Sequence, residues 1–170
     1  MSDLSNLKFF DSYFDEQIVD DALKYLSKPR WRFGYFDSDE KPHKKYWVSP
    51  LSEFDIFNKH IYEMVVRNLP NKYQLLEVYA AGHTYGMNGS LSTVDDPNIH
   101  LAMIFLNKQW DIEWGGKTIL VQEDGKYEAI FPKPGSMIVF PSDLYFYTED
   151  ICREFYGLKI TLIYKLRKIG

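Results

Sequence analysis

Two adjacent carboxylates, Asp95 and Asp96, stand before Pro97 in the run STVDDP. When one carboxyl of such a pair is desolvated, its pKa can rise into the range of a general acid or base. Asp-Asp-Pro also has the composition of a turn. The chain carries further groups able to move a proton or hold charge, among them Tyr79, Tyr145, Lys159 and the four histidines His43, His60, His83 and His100. His100 opens an apolar run, so it can face a cavity, the surface or a core pocket. Cys152 is the only cysteine, which excludes an intramolecular disulfide; it would need a neighbouring base to act as a nucleophile. These residues admit a metal-independent isomerase, cyclase or dehydratase. Its acid–base groups would come from Tyr79, Asp95, Asp96, Tyr145 or Lys159 in an aromatic pocket.

The elements that must position these groups can be read from the rest of the chain. Its 170 residues suit a single domain over 1–170, able to bury about 70% of its unfolded surface. Aromatic residues make up 17%, which favours strands around an internal cavity. Net charge is −4 with both signs interspersed, so a nucleic-acid partner is not expected. The opening MSDLSNLKFF lacks a basic start followed by a long apolar run, and no apolar stretch approaches the ~20 residues of a membrane span. A cytoplasmic protein without a signal peptide or membrane partner is the expectation.

Residues 1–70 carry two helical patterns and are expected to form a mostly helical brace. In FDEQIVDDALKYLSK the apolar positions Ile18, Val19, Ala22, Leu23 and Leu26 recur at helical spacing, with Asp15 as cap. The second pattern carries Phe54, Phe57, Ile61, Met64 and Val65, with Ser52 as the expected cap and Pro70 as the stop. After Pro70 the period shortens. YQLLEVYAAG, HLAMIFLN, KTILVQ, YEAIFP, SMIVFP, LYFYTE and EFYGLKITLIYKL read as strands bounded mostly by Gly, Pro, Asn or Asp. The fold class is therefore mainly β, a sandwich or jelly roll over 71–170 braced by two helices. Within LYFYTE, Tyr145, Tyr147 and Glu149 share one strand face, and Phe146 and Thr148 share the other. Trp110 and Trp114 are expected to pack in the core.

Over residues 72–169 a series of motifs appears in order: Tyr79 followed by His83-Thr84-Tyr85-Gly86, then Phe105-Leu106-Asn107, Trp110, and Trp114-Gly115-Gly116-Lys117-Thr118. Pro132-Lys133-Pro134-Gly135, Phe140-Pro141 and Gly157-Leu158-Lys159-Ile160-Thr161-Leu162 follow. In this the chain resembles the 2-oxoglutarate- and Fe(II)-dependent oxygenases, and within them the small prolyl-hydroxylase-like proteins of bacteria and phages. The resemblance implies a double-stranded β-helix with a mouth at one end.

That family holds iron with His-x-Asp and one distant His, a facial triad with open positions. The matched positions here are Ser92, Val94 and Phe146, none of which is one of those ligands. No histidine of this chain has Asp or Glu two residues on, and none occurs after His100. No metal cofactor is expected. The family binds the far carboxylate of 2-oxoglutarate with an Arg and a hydroxyl near the last strand. The matched Lys159 and Thr161, with Tyr79, imply a pocket for a small anion such as a 2-oxoglutarate-like dicarboxylate. The other reading of Lys159 is a lysine paired to a carboxylate or reaching solvent. His83 is matched in the family without being a ligand, which implies structural hydrogen bonding. The function expected is that of an iron-free pseudo-oxygenase, binding a small ligand or serving a protein partner such as an active oxygenase or a second copy. The alternatives are the metal-independent enzyme above and a hydroxylase with a non-standard metal site.

Overall fold

The protein is described here by a computed structural model covering residues 2–170. Three short strands fall among the first fifty residues: β1 (Lys8–Phe10), β2 (Arg32–Tyr35) and β3 (Tyr46–Pro50). Seven more follow Pro70: β4 (Lys72–His83), β5 (Ile99–Phe105), β6 (Thr118–Val121), β7 (Tyr127–Ile130), β8 (Met137–Pro141), β9 (Tyr145–Thr148) and β10 (Lys159–Ile169). One antiparallel sheet runs β1-β8-β5-β10-β4-β3-β2, and a smaller one runs β7-β6-β9. A single bridge from Ser92 to Phe146 extends the smaller sheet beyond β9. This is a double-stranded β-helix.

The two faces of the large sheet are buried differently. Val78, Ala80, Ala102, Ile104, Leu162 and Tyr164 pack against the helices, whereas Ala81, Met103, Phe105, Ile163 and Phe140 pack against Leu120, Ile130 and Phe146 of the smaller sheet. Strand alternation therefore sends Lys159, Thr161 and Ile163 toward the inter-sheet space, and Leu162 and Tyr164 toward the helices.

Helix α1 (Glu16–Leu26) begins as expected, with the Asp15 carboxylate accepting from Ile18 N at 2.9 Å. Such a cap contributes about 1 kcal/mol. The second helical pattern differs from the expectation. It forms a wide π-helical stretch, Ile56–Ile61, leading into α2 (Tyr62–Arg67). Phe57, Ile61 and Val65 are buried one above the next. Ser52 does not cap it: its hydroxyl exchanges hydrogen bonds with the Val78 backbone and ties the preceding turn to β4.

Residues 1–70 are also more than a helical brace, because β2 and β3 extend the large sheet past β4. Val48 pairs with Ala81 and Trp47 with Gly82. Gly34, at φ 119°, marks the bulge in the β2–β3 register. Among the described residues no helix is long and apolar enough to cross a membrane.

Candidate functional site

The space between the sheets opens near the end of β4 and the start of β10. It narrows there to a cavity of about 30 Å3. Ligand pockets run to roughly 300 Å3 and above. The cavity is therefore about a tenth of the size of an ordinary ligand pocket. Tyr79, Ala81 and His83 reach it from β4, Met103 from β5, Thr118 from β6, Phe146 and Thr148 from β9, and Thr161 and Ile163 from β10. Asp37 and Tyr46 complete the wall from the segment between β2 and β3.

Lys159 begins β10 directly opposite His83. It is 1% exposed. Its Nζ donates to Thr161 Oγ1 at 3.3 Å and lies 5.7 Å from the Phe105 ring centre. Among the described residues no carboxylate stands within 4 Å of it, so it neither pairs with an acid nor reaches solvent. Burial alone drops its pKa to about 7. Its stem is pressed into place by the Trp-Gly-Gly turn. A Cβ on Gly116, whose φ is 70°, would stand 3.1 Å from the Lys159 Cδ and 2.8 Å from Ile151 Cδ1.

His83 is 4% exposed and stacks on Tyr46, ring centres 4.9 Å apart. Neither ring nitrogen has a hydrogen-bond partner, in contrast to the structural hydrogen bonding the family match implied. Burial, and then the charge of Lys159, push its pKa down to about 3. It is a neutral imidazole with one free N–H and one free lone pair. Beyond it, Tyr46 Oη donates to Asp37 Oδ1 at 2.6 Å. As a whole residue Asp37 counts as exposed, yet its carboxyl turns inward to this contact. Burial of the carboxyl raises its pKa, with hydrogen bonds from Tyr46 and the Ser90 backbone opposing. The Asp37 charge bears on Tyr46 and Tyr79, both pushed up chiefly by burial, and is not among the causes of the Lys159 shift.

Of the residues singled out in the sequence, Tyr79, Phe146 and Thr161 line this cavity, and Lys159 lies behind Thr161. Ser92 exchanges both backbone hydrogen bonds with Phe146, each at 3.0 Å. Val94 follows, bonded through its backbone to Ser142. Asp95, Asp96 and Tyr145 do not line the cavity: Asp95 is exposed, and Asp96 accepts from Asn98 N to close a turn. Tyr145 lies on the strand face opposite Phe146, as alternation requires. His100 contributes instead to a separate pocket with Lys8, Asn71 and Lys168. Trp110 is buried and packs edge-on against Trp114, donating to Gly115 O at 3.0 Å.

Among the described residues no three His, Cys, Asp or Glu side chains converge as metal ligands would. Asp37, Tyr46 and Thr118 were not anticipated as wall residues. Asp37 and Tyr46 lie between the two helical patterns of residues 1–70, and only the pairing of β3 with β4 brings them to His83.

No family model matches the sequence, and no curated protein matches it. Solved structures do match in fold. An oxidoreductase of the 2-oxoglutarate-Fe(II) oxygenase family from Burkholderia pseudomallei superposes with a TM-score of 0.71 at 10% identity, covering 96% of this chain and 86% of that one. A Pseudomonas putida prolyl-4-hydroxylase gives 0.66 at 12% identity, covering 97% and 94%. A viral collagen prolyl hydroxylase from Paramecium bursaria Chlorella virus-1, solved as a complex with 2-oxoglutarate, gives 0.62 at 16% identity, covering 97% of each chain. The chain has the fold of these oxygenases.

Proposed function

We propose that this protein is an iron-free binding protein on an oxygenase fold, holding a small anion inside the barrel through Lys159. The observation that carries the reading is a fully buried lysine amine with no carboxylate partner within 4 Å among the described residues. An isolated buried charge costs several kcal/mol, and an anion offsets that cost where a neutral ligand does not.

The residues do not fit an iron ion. Ser92 and Phe146 are cross-strand neighbours in the fold position that the family match gives to its two histidines, and Val94 offers no donor. Asp37 and His83 are the one carboxylate and the one imidazole there among the described residues, and no third such ligand converges with them, which speaks equally against a hydroxylase with a non-standard metal site. A metal-independent enzyme would have to hold its substrate beside Tyr79, Tyr46 and Asp37 in a space about a tenth of an ordinary ligand pocket. A 2-oxoglutarate-like dicarboxylate meets the same obstacle unless Phe146 moves. A role for a protein partner draws support from Tyr156 and Tyr85, which are exposed beside Arg153 on a groove at the same end of the barrel.

The purified protein is expected to carry far less than one iron per chain and to leave 2-oxoglutarate unconverted. In a panel of small anions at matched ionic strength, at least one should raise the melting temperature of the native chain but not of Lys159→Met. Stoichiometric iron lost on changing Ser92, or a melting temperature indifferent to every anion, would overturn the reading.

A further inference from the structure

From the volume and donors of the cavity we infer that its ligand is a single halide-sized anion, chloride, and not a carboxylate of metabolite size. This rests on the anion-binding reading above and specifies the anion.

Three features of the cavity converge on that assignment. The first is size: at about 30 Å3 the cavity is about a tenth of a pocket that takes a metabolite, which favours a small ion over a dicarboxylate. The second is the donor set. Thr161 Oγ1 accepts from Lys159 Nζ, which leaves the threonine's own hydrogen free to point into the cavity. Thr118 and Thr148 line the same wall, and His83 brings an N–H that nothing among the described residues accepts. Hydroxyl and imidazole donors backed by a buried ammonium suit a spherical monovalent ion, which makes no demand for the forked geometry a carboxylate prefers. The third is charge. Among the described residues Asp37 is the one carboxylate on the wall, and it is engaged with Tyr46 and makes no ion pair with Lys159 within 4 Å. A water in the cavity would satisfy the hydroxyls and leave the ammonium uncompensated.

The phenyl ring of Phe146 enforces the size limit. It lines the cavity, packs edge-to-face on Phe140 with ring centres 5.5 Å apart, and is held by the backbone bridge to Ser92.

The test is the melting temperature of the full chain in sodium gluconate, with chloride, bromide, formate or 2-oxoglutarate substituted at constant ionic strength. Chloride and bromide should each raise it saturably and 2-oxoglutarate should not. Thr161→Val, which keeps the shape and removes the hydroxyl, should weaken the apparent chloride affinity at least tenfold. Broadening of the chloride-35 NMR line by the native chain, relieved by bromide, provides a second readout should a variant fail to fold. A response to 2-oxoglutarate with none to chloride overturns this inference and leaves the anion reading standing. No response to any anion overturns both. A chloride response undiminished in Thr161→Val and Lys159→Met places the ion elsewhere and overturns the inference.

Discussion

Lys159→Met should make the protein more stable at pH 7 in chloride-free buffer, by about 1–4 kcal/mol. Methionine keeps most of the buried stem packed beneath Gly116 and removes an ammonium that no carboxylate neutralises. The gain should depend on pH in a defined direction. The Lys159 pKa falls from 10.5 to about 7 on folding, so between those values the unfolded chain holds a proton that the folded chain lacks. Stability of the native sequence therefore declines as pH drops from 10.5 toward about 7, and then stays at the lower level. The variant loses that slope. Tyr46 and Tyr79, whose pKa values burial raises, act in the opposite sense once pH exceeds 10, so the comparison is made below that value. His83 adds a further loss of stability as pH falls from 6.5 toward about 3, common to both proteins. Urea midpoints across this range measure the effect. A less stable variant with the native slope intact would mean that Lys159 is compensated from within the protein.

Phe146→Ala should cost about 3 kcal/mol, the lower end for loss of a packed phenyl ring, because the residue is only half-buried. The space vacated adjoins Tyr79, Thr148 and Thr161, so the cavity should then admit anions that the native chain excludes. Thermal melts of the variant should show stabilisation by 2-oxoglutarate or formate that is absent from the native protein. If the folded variant gains no such response, the size limit is set by another part of the wall.

The β-helix was legible because its strands after Pro70 are short apolar runs separated by Gly, Pro and Asp, and all seven expected segments form strands. Alternation correctly placed Thr161 with Ile163, and Phe146 with Thr148, on the inner face. β1, β2 and β3 were not legible. Three residues carry no period, Gly34 breaks the alternation of β2 with a bulge, and β3 follows the charged run DSDEKPHKK, which reads as loop. That gap hid Asp37 and Tyr46, which reach the cavity only through sheet pairing across thirty or so residues of sequence. The same gap concealed the state of His83. The Tyr46 ring stacked on its face comes from that unread strand, and no local pattern around His83 signals it, or signals that both ring nitrogens go without partners.

The most direct measurement of the account is the titration of the Lys159 side chain itself, followed by NMR of the labelled Cε and Nζ and assigned by its absence in Lys159→Met. In chloride-free buffer the side chain should titrate near 7, moving upward as chloride is added, because the ion favours the protonated amine. A lysine titrating near 10.5 whether or not chloride is present would contradict it.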